Sequence, residues 1–114
     1  MDRESRQFLL TAVWLFMRHG RRERARNVCE ALVEADSRDG VAAVALADLL
    51  LDYGEAAKAL ETLRNADCPP SLEYAEAVLE TRALKMLGKN DSAKARWRRY
   101  LSSRNGNERK WITQ

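Results

Sequence analysis

Residues 16–25 read FMRHGRRERA, residues 50–59 read LLDYGEAAKA and residues 84–93 read LKMLGKNDSA. Gly20, Gly54 and Gly88 are spaced by 34 residues, and so are Ala25, Ala59 and Ala93, and Phe16, Leu50 and Leu84. Cys29, Leu63 and Trp97 continue the register, as do Leu32, Ala66 and Tyr100. A glycine at each turn lets the chain reverse through the left-handed region. The alanine five positions later is small enough for two helices to approach closely. The larger residue four positions further lies one turn along the same face. The pattern predicts three helix-turn-helix units, each unable to bury its apolar face alone, stacked on one continuous core.

Working outward, helices are expected near 3–18, 22–36, 41–52, 55–66, 72–87 and 91–103. Asp39 and Ser71 are expected as N-caps, because a short polar side chain accepts an orphan backbone N–H. Pro69 and Pro70 break the chain ahead of the third unit. One domain over 1–107 is predicted, with a polar tail over 108–114. Hydrophobic residues are 46% and charged residues 32% of the 114, which excludes a disordered chain. No apolar run approaches the roughly 20 residues of a membrane span. The start, with Asp2 and Glu4 before Phe8–Met17, lacks the basic opening of a signal peptide. A cytoplasmic location is expected, and two cysteines, Cys29 and Cys68, are too few for a disulfide framework.

The net charge of +3 is unevenly spread. Residues 1–26 hold seven Arg against three acids (+4), residues 27–93 six bases against thirteen acids (−7), and residues 94–114 seven bases against Glu108 (+6). Such segregation fits charged, solvated helix faces, and it also permits attraction of acidic partners at the ends.

No catalytic constellation is present. The single histidine, His19, precedes a turn glycine, where a helix dipole favours it. There is no phosphate loop, nucleophile elbow or paired-ligand motif. Glu73, Glu76 and Glu80 share one helical stripe and read as a solvated acidic face. No enzymatic activity, metal or cofactor is expected.

A 34-residue period with this arrangement resembles the tetratricopeptide repeat. The resemblance implies an all-α fold of three tetratricopeptide-type helix-turn-helix repeats, about 6–39, 40–73 and 74–107, in a short right-handed solenoid with a concave apolar groove. The third repeat departs from the pattern, with Glu80 and Thr81 where a large apolar and a small residue belong. In this register the groove positions are Gln7, Leu10, Trp14 and Met17; Val41, Val44, Asp48 and Leu51; and Ala75, Val78, Arg82 and Lys85. Leu10, Trp14, Met17, Val41, Val44, Asp48, Leu51, Val78 and Arg82 are the expected partner-binding residues. Leu10, Trp14, Val44 and Asp48 stand where a carboxylate clamp would need Lys, Arg and Asn, so the groove suits an amphipathic helix laid lengthwise. Trp14 and Met17 have the area and adaptability of anchors. The first helix is apolar on nearly every side, whereas a terminal repeat needs a polar outer face; a partner covering it resolves the conflict.

Gln7-Phe8-Leu9-Leu10, Trp14-Leu15, Gly20 and Glu23-Arg24-Ala25, with Gly88, Asp91, Ala93-Lys94-Ala95-Arg96 and Tyr100-Leu101, resemble the small tetratricopeptide chaperones of bacterial type III secretion. The YscY/SctY group is the nearer match and the YscG/SctG needle-subunit chaperones the second. The resemblance implies a bacterial cytoplasmic chaperone that holds a small helical secretion protein: SctX-like for the first group, the needle subunit with a helical co-chaperone for the second. It also implies docking at the export gate, with the membrane reached only through partners. Two other readings stand beside it. One is a homodimeric scaffold paired through the first helix, or a groove plugged by the chain's own Trp111. The other is an RNA-binding helical repeat using Lys94–Lys110 with Trp97, Tyr100 and Trp111. Trp97 and Tyr100 fall in expected core columns, which weakens the last reading, and no nucleic acid is expected.

Overall fold

Three glycine turns at 34-residue spacing share one backbone geometry in the computed structural model. Gly20, Gly54 and Gly88 have φ of +73°, +77° and +77°. The glycine N–H donates to Met17, Leu51 or Lys85, and the next N–H donates to Phe16, Leu50 or Leu84. These are the backbone carbonyls left unpaired where a helix ends. The structure describes the backbone of residues 1–113 and the side chains of residues 1–104.

The described residues are all-helical. The helices are α1 (Arg3–Arg18), α2 (Arg22–Ala35), α3 (Gly40–Asp52), α4 (Ala56–Asn65), α5 (Glu73–Met86) and α6 (Asn90–Thr113), with a 3-10 turn over Pro70–Leu72. α1 packs on α2, α3 on α4 and α5 on α6; between these pairs, α2 meets α3 and α4 meets α5. Ala25, Ala59 and Ala93 are fully buried, and their small side chains suit a close approach of the helices. The core runs through all three pairs, and Cys29, Leu32, Leu49, Leu50 and Leu63 are its largest fully buried side chains.

Asp39 caps α3 as expected, accepting from the Ala42 N–H at 3.3 Å. Gly40 opens the same helix against the α4–α5 connection: a Cβ there would stand 2.5 Å from the Asp67 carbonyl oxygen and 2.8 Å from the Cys68 Cα. The Asp67 N–H donates to the Arg38 carbonyl beside it.

Three expectations are corrected. Ser71 lies inside the 3-10 turn, and Leu72 occupies the N-cap position of α5 with no side-chain cap; the Pro69–Pro70 pair takes up the turn and moves the helix start. The last helix continues from Asn90 to Thr113, past the expected end at 103. Glu80 is not solvated: it is 6% exposed and meets Arg96 from α6 at 3.2 Å. A polar residue in a core position is thus matched by a guanidinium from the facing helix. Trp111, considered as a plug for the groove, lies outside the described side chains.

Candidate partner-binding groove

The first helix of each pair contributes one wall of a shallow cleft. Met17 of α1, Val44 and Asp48 of α3, and Tyr74 and Val78 of α5 line a cavity of about 330 Å³. Their spacing explains the convergence. Val44 and Asp48 are one turn apart on α3, and Tyr74 and Val78 are one turn apart on α5.

Of the nine expected groove residues, Met17, Val44, Asp48 and Val78 line this cleft. Val41 lies one turn before Val44 and is 39% exposed. Leu10 and Trp14 continue the Met17 stripe along α1. Leu10 is half-buried, and Trp14 is 57% exposed with the Arg18 guanidinium 5.2 Å from its ring centroid. The guanidinium and the exposed indole are thus placed for a cation–π contact along the outer surface of α1. Arg82 crosses from α5 to α3, meeting Asp52 at 3.5 Å and Asp48 at 3.9 Å.

Leu51 is a correction. It is 2% exposed and belongs to the core, because the end of α3 is covered by the neighbouring helices. It supports the cleft from beneath and cannot touch a ligand. Register reasoning missed three lining residues, Ala45, Leu79 and Tyr74, and the most exposed of them is Tyr74. It stands at the first turn of α5 and packs against Trp97 and Tyr100, with ring centroids 6.3 and 6.0 Å away. Three aromatic residues within the third unit, Tyr74, Trp97 and Tyr100, were the available signal.

Ion pairs tie neighbouring helix pairs together. The Arg6 guanidinium donates to Asp39 at 2.7 and 3.0 Å and holds that carboxyl below its ordinary range. Arg26 pairs with Glu30 at 2.9 Å and also with Glu55, and its hydrogen bond holds the Glu30 carboxyl below its ordinary range. Burial is the main influence on Glu80 and pushes its pKa up, against the opposing attraction of Arg96. Burial raises the Cys29 thiol to about 11 and, with Glu76 nearby, the Cys68 thiol to about 12. Both therefore stay protonated and poorly nucleophilic.

Among the described residues, no group of three or more His, Cys, Asp or Glu side chains is placed to hold a metal ion. Among them, too, no helix is long and apolar enough to cross a membrane. No protein-family model matches the chain, no curated protein matches its sequence, and no solved structure matches its fold.

Proposed function

We propose that the chain is a three-repeat tetratricopeptide-type solenoid that binds an amphipathic helix of another polypeptide and catalyses no reaction. The observation that carries this reading is the apolar surface left uncovered along the first helix and the cleft. Phe8, Trp14, Leu15 and Met17 are 72%, 57%, 43% and 37% exposed on one helix. Exposed apolar surface of this kind marks a protein-binding site. The shared turn geometry at 34-residue spacing supports the repeat reading, since each unit then presents its first helix to the same side.

Within that class, the sequence resemblance favours a type III secretion chaperone of the YscY/SctY kind, holding an SctX-like protein for delivery to the export gate. The needle-subunit chaperone role is the close alternative. The physical logic serves both: an export substrate with an apolar helix self-associates unless it is masked. A cytoplasmic site of action belongs to the same proposal.

A homodimer is the second reading, favoured by one observation. Phe8 and Leu15 lie on the flank of α1 away from Met17 and the cleft, so two copies can pair through that flank with the groove still open. Affinity purification of the tagged chain from its native cell, with the assembly mass read by light scattering, tests both. A 1:1 complex with one small helical secretion protein supports the chaperone role. A homodimer carrying no second protein overturns it.

A further inference from the structure

A second cavity, about 390 Å³, opens between α5 and α6 and is lined by Val78, Thr81, Arg82, Lys85, Ala93, Lys94 and Trp97. The 34-residue register identifies it. Thr81, Lys85, Lys94 and Trp97 are equivalent to Ala47, Leu51, Leu60 and Leu63 of the preceding unit. Those four are 0%, 2%, 5% and 1% exposed, because α5 packs against α3 and α4. The cavity is therefore the seat a fourth first-helix would fill, and no described residue fills it.

Its chemistry differs from that of the covered seat in one direction. Two leucines are replaced by Lys85 and Lys94, while the floor of Val78, Ala93 and Trp97 stays apolar. Lys85 and Lys94 form no ion pair among the described residues, whereas Arg82 is engaged by Asp48 and Asp52. The Thr81 hydroxyl, at a position that is alanine in the unit before, is buried with no hydrogen-bond partner. An orphaned buried hydroxyl costs roughly 1–3 kcal/mol, so the wall of this seat is less well packed than its counterpart at Ala47.

We infer that this seat binds an acidic amphipathic helix of a different polypeptide. The helix stacks as a fourth first-helix, with its apolar stripe on Trp97 and its carboxylates on Lys85 and Lys94. A second copy of this chain fits poorly. Its exposed helix, α1, lies in a segment of net charge +4 and would bring like charge to the two lysines. The inference uses the repeat register proposed above, but it names a site that adjoins the groove lined by Met17 and Val44, shares only Val78 with that cleft's lining, and is set apart by Lys85, Lys94 and Trp97.

The test uses the full chain and labelled amphipathic peptides of about 20 residues. Their flanking positions carry glutamate, glutamine or lysine, their ends are blocked, and binding is read by fluorescence anisotropy at low salt. The glutamate peptide is expected to bind roughly tenfold tighter than the glutamine peptide, and the difference is expected to shrink at about 0.5 M salt. The Lys85→Glu/Lys94→Glu variant, altered only at exposed positions, should reverse the preference in favour of the lysine peptide. Trp14→Glu should leave it unchanged, because that substitution damages only the groove. Equal affinity for the glutamate and glutamine peptides overturns the inference and leaves the groove reading standing. Loss of the preference in Trp14→Glu, or its survival in the lysine variant, also overturns it. So does displacement of the glutamate peptide by a single-stranded oligonucleotide at equal concentration.

Discussion

The Arg6 guanidinium grips the carboxylate of Asp39 through two hydrogen bonds, 2.7 and 3.0 Å long, across 33 residues of sequence. Asp39 is also the N-cap of α3. One carboxylate thus starts a helix and ties the first pair of helices to the second. Asp39→Ala removes both roles and is expected to cost about 1–2 kcal/mol, the range of a lost cap. Arg6→Ala leaves the cap in place; that arginine is 37% exposed, so under about 1 kcal/mol is expected. Chemical denaturation of the two variants checks the order. The pH dependence has a definite sign. The folded pKa of Asp39 is depressed, so its stabilisation is complete above the unfolded value of about 3.9. It fades as pH falls through the folded value. Acid unfolding of Asp39→Ala should accordingly lose part of its steepness below about pH 4.

Gly54 and Gly40 should respond to alanine for opposite reasons. Gly54 has φ +77°, and a Cβ added there would meet nothing within 4 Å, so the cost is conformational alone. About 1–2 kcal/mol is expected for Gly54→Ala, with Gly54→Asn milder because asparagine tolerates that region. At Gly40 the backbone is helical, but the new methyl would meet the backbone of Asp67 and Cys68. Gly40→Ala is expected to cost about 1–3 kcal/mol by overpacking, and asparagine is no rescue. Urea midpoints of the four proteins separate the two mechanisms.

Glu80 and Arg96 form a pair whose side chains are 8% and 9% exposed. Arg96→Met strands a buried carboxylate, and about 3–5 kcal/mol of destabilisation is expected near neutral pH. Burial has already raised the folded pKa of Glu80, and losing the cation raises it further. A raised carboxyl pKa adds stability that is fully present below the unfolded value and disappears as pH rises through the folded value. The variant should therefore recover toward acid pH relative to the parent. The Glu80→Leu/Arg96→Met double variant should be close to neutral in stability. Thermal melts at acid and neutral pH give both comparisons.

The 34-residue register made the helix pairs and their turns legible, because Gly20, Gly54 and Gly88 are chosen by backbone dihedral alone, a local property. Asp39 as a cap was legible for the same reason. What escaped was everything set by a facing element. Glu80 looked like a solvated acid because Arg96 reaches it from another helix, 16 residues away. Leu51 looked like a groove residue because the register gives a direction on α3 but not the depth to which neighbouring helices cover its end. Tyr74 was missed because the 3-10 turn over Pro70–Leu72 and the partners Trp97 and Tyr100 decide where its ring lies. In the candidate groove, helical periodicity aligns Trp14 with Met17 on α1, and the 34-residue register sets Val44 and Val78 at equivalent places on α3 and α5.

Leu51 and Val44 lie on the same helix and separate folding from binding. Leu51 is 2% exposed and part of the core, so Leu51→Ala should cost about 2–4 kcal/mol of stability. It removes no surface that a partner touches, and whatever protein remains folded should bind as the parent does. Val44 is only half-buried, at the wall of the cleft. Val44→Glu can turn its carboxylate into solvent, and a stability change of about 1 kcal/mol is expected. In the cleft, however, that charge would face the apolar stripe of a bound helix, where an unpaired ion is strongly disfavoured. Co-purification of the partner should fall at least about tenfold for Val44→Glu. Trp14→Glu should behave alike, since truncating a central aromatic anchor is among the costliest changes at an interface. Melting curves and partner recovery, measured together on the three variants, therefore carry the decision. Folded Val44→Glu and Trp14→Glu proteins that still recover the partner at parental levels would move the binding surface away from the cleft, leaving the Phe8 and Leu15 flank of α1 as the face that holds it.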